Sequence, residues 1–459
     1  MSKAKWAAEE IAQWAAGLKE REIPDAVRRA GGRSLLDVAG LCVAARKQGY
    51  VKAVRLGWAG AEAGNCTAIG HKKALDAAGA ALVNGTAAHG EDFDDTFEGT
   101  PVHTGAVAVP MALAACEGRG RSGADVLKGI AVAAEVMCRM ALVAPTAQHR
   151  AGFHPTGVIG AIGAAAGAGA ALGLNARQIT DAIGIAGSLA SGIIEYLAEG
   201  AWTKRLHPGW AAQAGLRAAA LAKEGFKGPR TVLEGEHGFF MAFGAEGVVP
   251  DFTQLTGDLG RAWRMPAIAF KPYACGTMCQ PFVDAAVRLA EAGVKPADIA
   301  DVLCKVGEGT VHRLWQPRAE KIAPSTPYSA KFSVPFCVAL AFTDRRAGLE
   351  QFTEARIRDK ALRALAARVR YEIDPKNEYP KNYSGHVRAT TRDGRTLEAA
   401  QPHLRGGKAE PLSDAALLEK FMTNAAFGGW PAKRARALAE YCGRIFGERD
   451  LRGMRKWRE

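Results

Sequence analysis

No phosphate loop of the GxxxxGK(S/T) type occurs in the chain, and neither does an HExxH zinc motif or a GxSxG nucleophile elbow. Walker-type nucleotide hydrolysis, zincin proteolysis and α/β-hydrolase chemistry are therefore excluded. The cysteines lack a framework spacing. There are nine, an odd number, widely separated, which argues against a disulfide scaffold. Cys275 and Cys279 are the closest pair, and with no second pair nearby they do not make a zinc site. The N-terminal stretch MSKAKWAAEEIAQWAAGL lacks the uncharged apolar core of a signal peptide. The run from Ala151 to Ala176 carries no formal charge, but it contains His154 and Pro155 and continues mostly as glycine and alanine. Such residues bring too little apolar surface for lipid insertion. A cytoplasmic protein with no membrane partner is the expectation.

What the chain does contain is ordinary globular material. Its 459 residues, 48% hydrophobic and 23% charged, allow two or three domains with real cores. Lysine and arginine number 60 against 47 acidic residues, a formal charge of +13. The basic residues are scattered, apart from a tail between Arg444 and Arg458, and no zinc-finger, heptad or aromatic RNA motif accompanies them. This pattern fits clefts that attract small anions and does not fit nucleic-acid binding.

The first half reads as alanine-rich helices: Trp6–Leu18, from Pro24 toward Ala45, His71–Ala88, Ala106–Cys116, Ala124–Ala141, Gly157–Leu172, Ala176–Ala190 and Ala211–Glu224. The run GAIGAAAGAGAALG loosely mimics a dinucleotide fingerprint. No strand precedes it and its glycines are misplaced, so close helix packing is expected there, not NAD binding. From about 270 to 400 the character changes. Ile299–Val306, Val369–Ile373 and His386–Thr391 read as strands. Asp393-Gly394 gives a turn, and Thr396-Leu397 resumes the strand pattern. A helical pattern spans Ala355–Ala367. Helical sequence returns at Asp414–Ala425 and Pro431–Phe446. The expected fold is mostly α: a large all-helical domain (1–268 with 402–459) and an inserted smaller α+β lid (269–401).

Four blocks carry chemistry. AHGEDFDDTFEGTPVHTG (Ala88–Gly105) gathers His89, Glu91, Asp92, Asp94, Asp95, Glu98 and His103. It lacks EF-hand spacing. A solvated acidic loop, a metal site, and an organic active site with a carboxylate-oriented histidine remain open as readings. GFHPTGVIG places His154 at a helix start, where backbone N–H groups favour anions. EGAWTKRLHPGWAAQAG clusters Lys204, Arg205 and His207 between two helices, suited to gripping a carboxylate. FKPYACGTMCQPFVDAA puts Lys271, Tyr273 and Cys275 ahead of a helix.

At these blocks the chain resembles the MmgE/PrpD family, which includes 2-methylcitrate dehydratase, cis-aconitate decarboxylase and iminodisuccinate epimerase. The collinear segments are SLLDVAG, NGTAAHGEDFDDTF, GFHPTG, TKRLHPGWAAQAG, KFSVPF and EPLSDAALLEKF. The resemblance implies a homodimer and a reaction without nicotinamide, flavin or iron–sulfur cluster; no metal ligand is expected. It implies pocket positions at Asp92, Thr96, His103, His154, Lys204 and Lys271, with His207 in the same loop as Lys204. The fourth block departs from the family pattern. Gly276 and Gln280 stand where the family commonly has a cysteine or histidine and a histidine.

The expected function is a cofactor-independent lyase of dehydratase type acting on a small di- or tricarboxylic acid. His103 and His154 would be the acid/base pair, with Asp92 orienting a histidine and Lys204 balancing charge as a proton leaves the carbon alpha to a carboxylate. Substrate contacts would come from Thr96, Arg205, His207, Lys271, Tyr273 and Cys275. Epimerisation and decarboxylation share that first step or a close relative of it. A catalytically decayed, metabolite-binding homologue is the non-enzyme alternative, motivated by Gly276 and Gln280.

Overall fold

The structure is a computed structural model that describes residues 5–58, 64–379 and 381–459. The chain divides into two compact units. One comprises 1–90, 94–268 and 414–459, and the other comprises 91–93 and 269–413.

Small residues dictate how the first unit packs. Its longer helices before residue 230 are α1 (Ala7–Gly17), α2 (Asp25–Ala45), α3 (Gly49–Trp58), α4 (Ala77–His89), α5 (Gly105–Arg119), α6 (Gly123–Val143), α7 (Pro155–Leu172), α8 (Ala176–Leu189) and α9 (Thr203–Lys223), and the helices Asp414–Phe427 and Ala432–Arg444 complete the unit. Asp76 caps α4. Its carboxylate accepts from Gly79 N at 2.8 Å, so the helix begins at Ala77 and not at His71. α7 is apolar all round and packs against α5, α6, α8 and α9. It is the one helix among the described residues with the length and composition of a membrane span, and nearly all of it is buried inside the unit. α4 and α9 meet at paired glycines. A β-carbon on Gly209 would lie 2.2 Å from Leu82 O, and one on Gly85 would lie 2.6 Å from Gly209 Cα.

Two features depart from the sequence pattern. α3 has no counterpart in the periodic reading. α9 starts at Thr203 and runs through Pro208, so Lys204, Arg205 and His207 occupy the first turns of a helix and not a turn between helices. The basic tail is a structural clasp. Trp457 O accepts from Gly70 N at 2.8 Å. Arg458 donates to Thr67 Oγ1 at 3.0 Å and pairs with Glu117 at 3.2 Å, while Glu459 pairs with Arg46.

The second unit is α+β. Its main elements are α10 (Gln280–Glu291), β1 (Ile299–Val306), α11 (Val334–Asp344), α12 (Lys360–Ala366), β2 (Val369–Ile373), β3 (Gly385–Thr391) and β4 (Thr396–Gln401). The sheet order is β2-β1-β3-β4. β1 and β2 are parallel, with Val302 opposite Val369, and the other pairs are antiparallel. β3 alternates buried and half-buried residues, as a strand with one covered face must. α10 packs on β3 and β4, and α11 packs on α10. The helical pattern at 355–367 is broken into Glu354–Ile357 and α12, the latter capped by Asp359.

Candidate active site

Three segments of the helical unit bring four imidazoles together. His89 ends α4, His103 precedes α5, His154 is the N-cap of α7, and His207 lies on the buried face of α9. The ring centroids of His89 and His103 are 4.8 Å apart. Those of His89 and His154 are 5.4 Å apart, those of His103 and His154 6.3 Å, and those of His154 and His207 5.3 Å. All four residues are buried.

Each ring is held by its Nδ1. His89 Nδ1 lies 2.8 Å from Asp94 Oδ2. His103 Nδ1 lies 2.6 Å from the Asp95 carbonyl, and since a carbonyl only accepts, His103 must carry a proton there. A second oxygen, Asp94 Oδ2, is 3.6 Å from the same nitrogen. His103 is further placed by its backbone N–H, which donates to Thr156 Oγ1 at 3.1 Å. His154 Nδ1 faces His207 Nδ1 at 3.1 Å. The Nε2 atoms of His89 and His154 are buried and have no hydrogen-bond partner among the described residues. In these two rings the Nδ1 contact fixes the imidazole and the opposite nitrogen stays open for chemistry.

Burial, followed by the neighbouring His89, His207, Lys204 and His103, pushes His154 well below the ordinary imidazole range. His207 falls to about 4, first through burial and then through His89 and Lys204. Both shifts favour the neutral imidazole. Asp95 moves the other way. Burial lifts its carboxyl to about 7, against the hydrogen bond from Gly105 N. Lys204 is buried one helical turn before His207. The Arg205 guanidinium stacks over the Tyr50 ring at 4.3 Å. Thr96 is buried in the two-residue strand Thr96–Phe97.

Among the described residues, His89, Asp94 and His103 are the group whose donor atoms lie close enough, within 4.8 Å, to hold a metal ion. Their donor types suit a transition metal. Both Nδ1 atoms are engaged by protein oxygens, so a metal would have to displace the His89–Asp94 hydrogen bond or take Nε2 instead. The motif reading singles out His103 and His154 but not His89, Asp94 or Asp95. Their presence in one short acidic stretch with two histidines was the available signal.

The remaining expected site residues belong to the second unit. Lys271 Nζ donates to Asp92 O at 2.8 Å and lies 3.3 Å from Asp92 Oδ2, all buried. Asp92 takes a left-handed backbone with φ 53°. Asp94 and Asp95 place oxygens beside the imidazoles of His89 and His103. Tyr273 OH donates to Asp284 at 2.8 Å and accepts from Arg405 at 2.9 Å. Burial raises the phenol above its ordinary value. Cys275 is buried and hydrogen-bonded to Cys279 and Cys337, and burial holds its thiol high.

The two departures from the family pattern have a local account. The Gln280 amide donates to Tyr273 O at 2.9 Å and to Cys275 O at 2.8 Å, and accepts from Tyr273 N at 3.2 Å. It thereby pins the loop that carries both residues. A β-carbon on Gly276 would sit 3.1 Å from the Phe332 ring, so that ring occupies space that a larger side chain would need.

Comparison with known proteins gives a consistent result. Residues 9–249 match the MmgE/PrpD N-terminal domain, and residues 273–441 match the MmgE/PrpD C-terminal domain. The chain is 31% identical to cis-aconitate decarboxylase of Homo sapiens over 360 residues, 75% of this chain and 72% of that protein. It is 27% identical to cis-aconitate decarboxylase of Aspergillus terreus over 438 residues, covering 90% and 88%. The Mus musculus protein of the same name is 29% identical over 363 residues.

Proposed function

The chain belongs to the MmgE/PrpD family, and from that footing we propose that it is a lyase that moves a proton alpha to a carboxylate of a small di- or tricarboxylic acid and expels water. The observation that carries this reading is the imidazole cluster, with each Nδ1 engaged and the Nε2 of His154 buried and unpartnered among the described residues. A neutral buried imidazole is a competent base at pH 7. His154 takes that role. His103, as acid, gives its own proton to the departing hydroxyl so that it leaves as water, while the alpha proton stays on His154; Asp94 3.6 Å from His103 offers a counter-charge. Lys204 balances the negative charge that builds on the substrate carboxylate. Within the helical unit, Thr96 and Arg205 support substrate contacts; in the second unit, Asp92 and Lys271 hold one another.

Decarboxylation of an aconitate-like acid is the second reading, favoured by the activity named for the human and Aspergillus relatives. Proton NMR in deuterated water over a panel of citrate-like and aconitate-like acids separates the routes. Dehydration gives olefinic signals without CO₂. Decarboxylation releases CO₂. Epimerisation places deuterium in recovered acid with no alkene. On the acid that turns over, His103→Ala and His154→Ala are each expected to lower kcat/KM by about 100-fold or more. Retention of activity within about a factor of two in both variants would sink the assignment. We further propose that the protein works as a homodimer, a reading supported by the exposed apolar side chains Ile193, Leu197, Trp202 and Trp210.

A further inference from the structure

The contact between His154 and His207 constrains where their protons lie. The two Nδ1 atoms are 3.1 Å apart. A neutral imidazole has one N–H and one lone pair, so one ring donates in this contact and the other accepts. If His207 donated, the proton of His154 would have to sit on Nε2, which is buried and has no acceptor among the described residues. That would leave a buried N–H with nothing to receive it, whereas the other arrangement leaves at Nε2 the lone pair that a base needs to take a substrate proton. If His154 donates, its Nε2 carries the lone pair, and the proton of His207 sits on its own Nε2, which is not stranded in this way.

We infer that His207 is a positioning residue: it accepts a hydrogen bond from His154 Nδ1 and so fixes His154 in the one tautomer whose Nε2 can take a proton from substrate. This rests on the reading of His154 as the base.

The surrounding backbone is shaped for this pair. A β-carbon on Gly192 would lie 3.1 Å from both Cγ and Nδ1 of His207, and Gly192 has φ +128°. The carbonyl of the same residue accepts from His154 N at 2.8 Å. A β-carbon on Gly157 would come 3.3 Å from His207 Cβ. Residue 192 therefore sets the backbone of one histidine and bears on the ring of the other. Pro208 follows directly and Lys204 precedes by one turn. The Tyr196 ring stands edge-on to both imidazoles, 6.3 and 6.0 Å away. Neutrality of His207, which an acceptor requires, is maintained by burial and by the adjoining His89 and Lys204.

The test is ring ¹⁵N NMR of the histidine-labelled protein together with steady-state kinetics. In the parent protein at pH 7, His154 should carry its proton on Nδ1. His207→Phe removes the acceptor. It should release that tautomer and lower kcat at least tenfold, about 1.4 kcal/mol, with KM within twofold. His207→Asn keeps an acceptor oxygen and should restore both the Nδ1 proton and most of kcat. A parent spectrum with the His154 proton on Nε2 overturns the inference, whatever the variants do. So does an unchanged His154 tautomer in folded His207→Phe. The spectrum does not depend on turnover. An active His154→Ala enzyme would instead remove the base assignment while the parent spectrum still reported on the hydrogen bond.

Discussion

Asp95 shows how much one buried carboxyl can cost. It accepts from Gly105 N at 3.0 and 3.1 Å and from Ser34 Oγ at 3.2 Å, yet burial lifts it from 3.8 to about 7. A carboxyl whose folded value is raised contributes stability that is complete below its unfolded value and is lost as pH rises through the folded value. The window therefore runs from about pH 4 to about pH 8. Asp95→Asn mimics the protonated form throughout. Its stability relative to the parent should climb across that window by up to about 4 kcal/mol, the free-energy equivalent of roughly three pH units. Urea midpoints at several pH values would measure this difference, and a flat difference would show that Asp95 stays ionised. His207 works in the opposite sense. Its folded value near 4 means that its share of stability is present above about 6.5 and lost as pH falls toward 4. At this scale the motifs singled out His103, His154, Lys204 and His207, and the structure groups the three imidazoles among them. His89 was gathered in the same acidic block as His103 but given no role, because nothing local says which of the block's carboxylates it meets. That becomes visible only when the chain folds back and sets Asp94 2.8 Å from it.

Among the elements, legibility followed periodicity. β1 and the β3–β4 hairpin were readable because their residues largely alternate between a covered and an open face, and Asp393-Gly394 supplies the turn, with Gly394 at φ 86°; β2 was readable from its β-branched ends, Val369 and Ile373. The start of α9 was not readable. Pro208 in a helix interior costs a hydrogen bond and a steric clash, so local rules end the helix there, but burial of Lys204, His207, Gly209 and Ala211–Leu216 along α9 overrides that preference. The α4–α9 crossing makes a prediction at this scale. Gly209→Ala forces a methyl to within 2.2 Å of the Leu82 carbonyl, a backbone clash that no rotamer relieves. It should destabilise by about 1–3 kcal/mol or more. Gly443→Ala, in the helix Ala432–Arg444, meets nothing within 4 Å and should be neutral or stabilising by up to about 1 kcal/mol. Thermal melts of the two variants should move in opposite directions. A harmless Gly209→Ala would mean that the helices can separate at little cost.

For the whole molecule, the helical unit is closed by chain segments far apart in sequence: Lys420 pairs with Asp37 at 2.7 Å, and Arg458 reaches Glu117. Composition alone could not show this, since a cluster of basic residues at the end of a chain reads equally as a free tail. Composition also gave no location for an oligomeric surface. On α9, Trp210 and Leu221 are exposed three turns apart on a largely buried helix. Residues eleven apart fall on nearly the same helical face. Leu197 and Ile193, just upstream of α9, are more than half exposed. The proposed homodimer would cover such exposed apolar side chains. A symmetric contact uses the same patch twice, so one substitution perturbs both halves of the interface. Light scattering at micromolar concentration should return twice the chain mass for the parent protein. Leu197→Glu combined with Trp210→Glu should return the single-chain mass with helical content unchanged, because neither side chain is part of the core. A parent protein that runs at single-chain mass would remove the dimer from the proposal and leave the imidazole chemistry, contained within one helical unit, as it stands.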